Sequence, residues 1–325
     1  MTLLMIVIGL ALLFAGGELL VRGAVRLARA VGMSSLVIGL TVVGFGTSTP
    51  ELVTSVEAAL LGTPGIAIGN IVGSNIANVL LIVGISAVVY PIAIASIALK
   101  RDSVVMIAVT VVFLAICFMM PLNLVIGLAF LATLVLYIAL VIRFERQANS
   151  VNHGAIYDKA KAIEDLDPGL SPATEEKTPL LLALAMVVVG LVLLIGGGKL
   201  LVVNAVALAQ QLGVSDTIIG LTIVAVGTSL PEFVTSLIAA IRKEADVAFG
   251  NVVGSNIYNL LGIGGFTALV APIDVPQRIA TFDNPVMLAA ALVLILFAWT
   301  GYRIGRREGV ALMAGYVAYV YSIWP

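Results

Sequence analysis

Two glutamates stand out as the residues able to do chemistry. Glu51 lies in "GTSTPELVTS" (Gly46–Ser55) and Glu232 in "GTSLPEFVTS" (Gly227–Ser236), each directly after a proline and among hydroxyls, within long apolar runs. A buried carboxylate must be paired, protonated or neutralised by a bound cation, because a bare charge in apolar surroundings is costly. No Lys or Arg occupies the middle of either segment, and Lys199, which aligns with Glu18, can serve at most one of the two. Proline lacks an N–H, so Pro50 and Pro231 release the carbonyls of Gly46 and Gly227 from helical bonding. A freed carbonyl ending a half-helix favours positive charge. Thr47 and Ser48 add hydroxyls, with Thr47 four residues before Glu51 on the same helical face. Further on, Asn70, Ser74 and Asn78 form one polar stripe at four-residue spacing, and Asn251, Ser255 and Asn259 form another. Carboxylates, hydroxyls, amides and carbonyls make an all-oxygen set, which suits hard cations such as Ca2+ or Na+ rather than zinc or copper. The plainer alternative is local. Ser48-x-x-Glu51 and Ser229-x-x-Glu232 also fit a capping box, in which each glutamate caps its own kinked helix.

The two motifs belong to a repeat. A constant shift of 181 residues carries Pro50 to Pro231 and Glu51 to Glu232, and aligns "GNIVGSNIAN" (Gly69–Asn78) with "GNVVGSNIYN" (Gly250–Asn259). It also aligns "GGELLVRGAVRLA" (Gly16–Ala28) with "GGKLLVVNAVALA" (Gly197–Ala209). Register held over this length marks a duplication. The recurrence weighs against the capping box and for a shared cation site. Gly69 and Gly73, with Gly250 and Gly254, form small-xxx-small patterns that read as close helix packing. Glu18 and Glu57 have no matching carboxylates and read as interfacial or locally hydrogen-bonded groups.

The elements that must position these residues are membrane helices. The 325 residues are 61% hydrophobic and 11% charged, with mean hydropathy +1.17. Soluble domains carry about a quarter charged residues. The fold class is therefore an all-α polytopic membrane protein. Ten transmembrane helices are expected: Leu3–Arg29, Ser35–Leu61, Ile66–Tyr90, Ser103–Met120, Leu122–Ile142, Pro179–Gln210, Thr217–Ile241, Val247–Val270, Phe282–Thr300 and Gly309–Ile323. Five precede the duplicate, so the second copy must cross the membrane in the opposite sense. The expected organisation is two inverted five-helix repeats, residues 1–144 and 179–325, joined by a cytoplasmic linker, 145–178. The basic residues collect on one side, including Arg22, Arg26, Arg29, Lys100, Arg101, Arg143, Arg146, Arg242 and Lys243, while Arg278 stands alone on the other. The positive-inside rule then puts both termini outside, in the cell membrane. The first segment lacks a basic leader and cleavage site and reads as a retained helix. The linker, "ERQANSVNHGAIYDKAKAIEDLDPGLSPATEEK", reads as a solvated, partly disordered stretch with His153 exposed; its "DLDPG" lacks EF-hand spacing.

The composition excludes several classes. The net charge of −1 and scattered basic residues give no nucleic-acid surface, and Cys117 is the sole cysteine, so no internal disulfide can form. The sole histidine sits in the linker, which leaves an intramembrane enzyme without support. No resident cofactor and no obligate protein partner are expected; the partners are small inorganic cations and the lipid bilayer.

At "GTSTPELVTS…GNIVGSNIAN" and "GTSLPEFVTS…GNVVGSNIYN" the sequence resembles the calcium/cation antiporter superfamily, and within it the prokaryotic sodium/calcium exchangers. These correspond to the family's alpha-repeats, within residues 39–84 and 220–265 here. The resemblance covers both halves and implies a ten-helix antiporter moving Ca2+ against Na+ by alternating access. It implies metal ligands at Thr47, Ser48, Glu51, Ser74 and Asn78, and at Thr228, Ser229, Glu232, Ser255 and Asn259, with the backbone carbonyls of Gly44 and Ala225. One departure stands out. Many members have aspartate where this chain has Asn259, so the site holds two carboxylates rather than three. Two charges balance Ca2+, but the counter-ion is left open between Na+ and H+. An H+/Ca2+ antiporter is the nearer rival. A cation channel with the same acidic constriction is the weaker one, since broken helices in inverted halves favour alternating access.

Overall fold

The computed structural model describes residues 2–94, 96–164, 179–212 and 227–323. Its helices are α1 (Thr2–Val31), α2 (Ser35–Thr47), α3 (Thr49–Leu60), α4 (Pro64–Val89), α5 (Ser96–Met119), α6 (Leu124–Glu164), α7 (Leu180–Gln211), α8 (Leu230–Ile241), α9 (Ala245–Val270), α10 (Ile279–Trp299) and α11 (Arg306–Ile323). Two short strands, β1 (Ile92–Ala93) and β2 (Arg303–Ile304), pair antiparallel with Ile92 opposite Ile304. Among the described residues, seven helices are long and apolar enough to cross a membrane, or eight when α2 and α3 count as one span bent by 44°. The protein is a polytopic membrane protein.

The count among the described residues is thus seven or eight rather than the ten expected, and the segments that recur have ends shifted by several residues. Residues 213–226, which include the first half of the expected seventh span and Ala225, lie outside the described residues. The fifth expected helix, Leu122–Ile142, extends further than expected, because α6 runs on as helix to Glu164. Its apolar part, Leu124–Arg146, is the span. Residues 165–178 lie outside the described residues.

Both halves break at the same place for the same reason. Ser48 leaves helical geometry at φ −81°, ψ 10°, and Ser229 at φ −87°, ψ 9°. Pro50 and Pro231 then fall in the first turn of the next helix, where a missing N–H is tolerated. The 181-residue shift carries Thr49–Leu60 onto Leu230–Ile241, and the α-helical Pro64–Ala77 onto Ala245–Tyr258. Each of the latter then passes into a π-helical turn beginning at the repeated asparagine, Asn78–Val83 and Asn259–Ile263.

Helices α1 and α7 are repeat counterparts that pack antiparallel at backbone contact. A Cβ on Gly9 would lie 3.0 Å from the Gly197 carbonyl oxygen, and one on Gly16 would lie 2.8 Å from that of Gly190. Moving up α1 therefore means moving down α7. Glycine is what lets the two backbones approach, as in other membrane helix pairs. In the second half, Gly250 and Gly254 serve the same end. A Cβ on Gly250 would lie 2.8 Å from the Leu36 carbonyl oxygen and one on Gly254 would overlap that of Leu40, which seats α9 hard against α2. The 181-residue shift carries Leu36 and Leu40 to Thr217 and Leu221, so the packing expected of Gly69 and Gly73 falls on a segment outside the described residues. One buried apolar cluster joins α1, α7, α2 and α8, and a larger one joins α4, α5, α6, α9 and α10. Helix α2 contributes to both clusters, Ile38 and Val43 to the first and Leu36, Val37 and Leu40 to the second.

Candidate functional site

Glu51 and Glu232 occupy the first turns of α3 and α8 and are each 1% exposed. Neither glutamate caps its own helix through the preceding serine, as a capping box requires. Ser48 donates to Glu232 Oε1 at 2.7 Å, and Ser229 donates to Glu51 Oε1 at 2.9 Å. Each serine thus serves the glutamate of the other repeat. Reciprocal contacts of this kind are those of two copies facing each other across a two-fold axis. The second oxygen of each carboxylate, Oε2, is buried and has no hydrogen-bond partner.

Hydrogen bonds and close approaches join Thr47, Ser48, Ser74, Ser229, Ser255 and the Gly44 carbonyl in one buried network with the two glutamates, and Asn78 and Asn259 are buried as well. Thr47, Ser48, Ser74, Asn78, Ser229, Ser255 and Asn259 are all at most 5% exposed. Ser74 Oγ lies 3.5 Å from Ser229 Oγ. Ser255 donates to the Gly44 carbonyl at 3.1 Å, and Thr47 Oγ1 lies 3.3 Å from the same oxygen. The carbonyl engaged by these hydroxyls is that of Gly44, not Gly46. Gly46 instead faces α7, where a Cβ would lie 2.7 Å from Leu191 Cδ1, and Gly227 likewise faces Val202. Thr228 Oγ1 is buried without a partner. Asn78 donates to Asn256 Oδ1 at 3.0 Å and keeps its own Oδ1 free, while neither amide atom of Asn259 is bonded.

Asn70 and Asn251, the first members of the polar stripes, do a different job. Asn70 Nδ2 bonds the Glu51 carbonyl at 3.1 Å and Ser55 Oγ at 2.9 Å. Asn251 Nδ2 bonds the Glu232 carbonyl at 3.2 Å and Ser236 Oγ at 2.8 Å. These identical clasps fasten each glutamate-bearing helix to the following one and set the carboxylate's height. Asn251 Oδ1 also accepts from Thr47 at 3.1 Å, which joins the repeats. Ser55, Ser236 and Asn256 were not singled out from sequence. The signal was present, since all three lie inside the repeated motifs and Ser55 and Ser236 align at the 181-residue shift.

Comparison with known proteins places this geometry. The family model described as "Sodium/calcium exchanger protein" matches residues 1–143 and 182–324. The chain belongs to the sodium/calcium exchanger family. It is 36% identical to the sodium/calcium exchanger MaX1 of Methanosarcina acetivorans, over 98% of this chain and 97% of that one. It is 32% identical to the inner membrane protein YrbG of Escherichia coli, over 98% and 96%. Its fold matches that of the sodium-calcium exchanger NCX_Mj soaked with 2.5 mM Na+ and 0.1 mM Ca2+, with a TM-score of 0.83, 30% identity, and coverage of 100% and 99%.

Other charged groups of this exchanger-family chain are held away from the centre. Glu18 pairs with Arg22 at 2.5 Å and with Arg242 just after α8, the locally bonded role of the two expected for it. Glu57 is exposed. Lys199 is exposed on α7 and lines a separate cavity of about 350 Å3 beside Pro50, Thr228 and Pro231. No cationic side chain forms an ion pair with Glu51 or Glu232 among the described residues.

Proposed function

We propose that this protein is a secondary antiporter that exchanges Ca2+ for Na+ by alternating access, with Glu51 and Glu232 as the paired central ligands. The observation that carries this reading is a set of buried, unpartnered oxygens on both repeats: Glu51 Oε2, Glu232 Oε2, Asn78 Oδ1, Asn259 Oδ1 and Thr228 Oγ1. Buried polar atoms left without partners are rare and costly. These oxygens, two of them on carboxylates and with no ammonium or guanidinium paired to them among the described residues, suit a hard cation, although the Asn259 Nδ2 donor is also unpartnered. Two carboxylates neutralise one Ca2+ or two Na+, which gives competition at one site its stoichiometric basis.

In this reading the ligands are Thr47, Ser48, Glu51, Ser74 and Asn78 with the Gly44 carbonyl, and Thr228, Ser229, Glu232, Ser255 and Asn259 with the Ala225 carbonyl. Ser48 and Ser229 each hold a carboxylate of the opposite repeat by their hydrogen and present their lone pairs to the ion. The chain forms ten spans as two inverted five-helix repeats, with both termini outside and residues 145–178 in the cytoplasm. The antiparallel α1–α7 pair and the reciprocal serine–glutamate bonds support the inversion. A site at the interface of such halves is reached from alternate sides as one half rocks against the other.

Asn259 favours a second reading, H+/Ca2+ exchange. With a neutral amide here, two protons leave the centre as neutral as one Ca2+ does. The test is 45Ca2+ uptake into proteoliposomes under separate Na+ and H+ gradients. Uptake driven by Na+ alone supports the first reading, uptake driven by H+ alone the second, and uptake needing neither gradient would refute both.

A further inference from the structure

Asn78 and Asn259, the two amides assigned above as ligands, are bonded unequally. Asn78 Nδ2 donates to Asn256 Oδ1 at 3.0 Å across the repeats, and Asn256 Nδ2 in turn donates to Met106 Sδ on α5 at 3.7 Å. The 181-residue shift carries this pair onto Asn259 and Asn75, and Met106 onto Met287. The equivalent bond is not made. Asn75 Nδ2 turns back to the Ile71 carbonyl of its own helix at 2.7 Å, its Oδ1 has no partner, and both amide atoms of Asn259 are unpartnered. All four asparagines are at most 3% exposed.

The two places are otherwise alike. Pro64–Ala77 packs on Asn259–Ile263 as Ala245–Tyr258 packs on Asn78–Val83. In both halves the backbone passes from α-helix into a π-helical turn at the asparagine, a feature frequent at functional positions. The closed clasp takes no hydrogen bond from residues 32–45, the repeat counterparts of 213–226, and its open mate involves described residues only. A donor, Asn259 Nδ2, and an acceptor, Asn75 Oδ1, are thus buried at matching places and left apart, which is costly.

We propose that Asn256 and Asn75 are positioning residues that hold Asn78 and Asn259 in turn, with one clasp closed in each access state. This rests on the exchange reading above. Inverted halves trade conformations as the site turns from one face to the other. The state shown, with Asn78 clasped, is then matched by one in which Asn259 is clasped and Asn78 released. One such bond is made in either state, so the exchange is nearly balanced, while an intermediate with both clasps open loses a buried hydrogen bond. The pair therefore acts as a two-position device. It needs an amide at both 78 and 259, because an ionised carboxylate has no hydrogen to donate.

The test is Ca2+ titration of transport from each face separately, in vesicles of known orientation, with the ratio of the two half-saturating concentrations as the readout. Asn256→Leu removes the acceptor of the closed clasp and should move this ratio about twofold to tenfold, the worth of one buried hydrogen bond. Asn75→Leu should move it by a similar factor in the opposite direction, and the double variant should return to within about twofold of the wild type. Asn75 bonds only its own helix here, so its arm decides alone if Asn256→Leu does not fold: an unchanged ratio in Asn75→Leu overturns the proposal. Equal shifts at both faces would reduce the two asparagines to packing and overturn it as well, as would a ratio moved in the same direction by both variants. Wild-type protein without Glu51-dependent uptake would defeat the exchange reading itself, and this inference with it.

Discussion

Ser48→Ala offers a sharp test of the crossed geometry. The Ser48 hydroxyl donates to Glu232 Oε1 at 2.7 Å, and the other oxygen of that carboxylate has no partner. Removing the donor leaves a buried carboxylate less satisfied, and hydrogen bonds to charged groups contribute about 1.5–3 kcal/mol. The loss should therefore appear in stability even without ions. A double-mutant cycle on ion-free protein, followed by thermal unfolding in detergent at alkaline pH, separates the two possible partners. Ser48→Ala with Glu232→Ala should show a coupling of about 1.5–3 kcal/mol, while Ser48→Ala with Glu51→Ala should stay within about 0.5 kcal/mol of additivity. Ser229 should couple to Glu51 and not to Glu232, by the equivalent bond at 2.9 Å. Coupling of Ser48 to Glu51 instead would restore the capping box and refute the interlocked pair.

Other outcomes follow from the same geometry. Gly254→Ala drives a Cβ into the Leu40 carbonyl oxygen, a backbone atom with little room to yield, and should destabilise the protein by about 1–3 kcal/mol or more in the same unfolding assay. Acidification at subsaturating Ca2+ should slow transport, since protons and Ca2+ compete for the same two carboxylates, and added Ca2+ should restore the rate; uptake indifferent to acid would count against direct competition. Asn259→Asp adds a third ionisable group beside the pair and should change the Na+ dependence and the charge moved per cycle, read as reversal potentials on supported membranes. Identical coupling in both forms would remove position 259 from counter-ion selection.

The sequence made the broken helices plain, because Pro50 and Pro231 mark the missing donors and the 181-residue register assigns them equivalent places. It also brought Glu51, Glu232 and the Ser–Asn stripes to one centre. What it could not show was which glutamate each serine serves. Ser48 and Glu51 lie three residues apart, so local spacing suggests a cap, and only the opposition of the halves reveals the cross-bond. A proline identifies a lost N–H but not which carbonyl turns to the site: the local argument points to Gly46, whereas the family resemblance names Gly44, the carbonyl that Ser255 engages.

The central claim is that Glu51 and Glu232 form one cation site used for exchange. It is tested most directly by 45Ca2+ uptake into proteoliposomes carrying wild-type protein, Glu51→Gln or Glu232→Gln, with insertion and folding verified for each. The account predicts gradient-driven uptake by the wild type and uptake at background in both variants, because each substitution removes half the charge that balances Ca2+. Near wild-type uptake by either variant would contradict it.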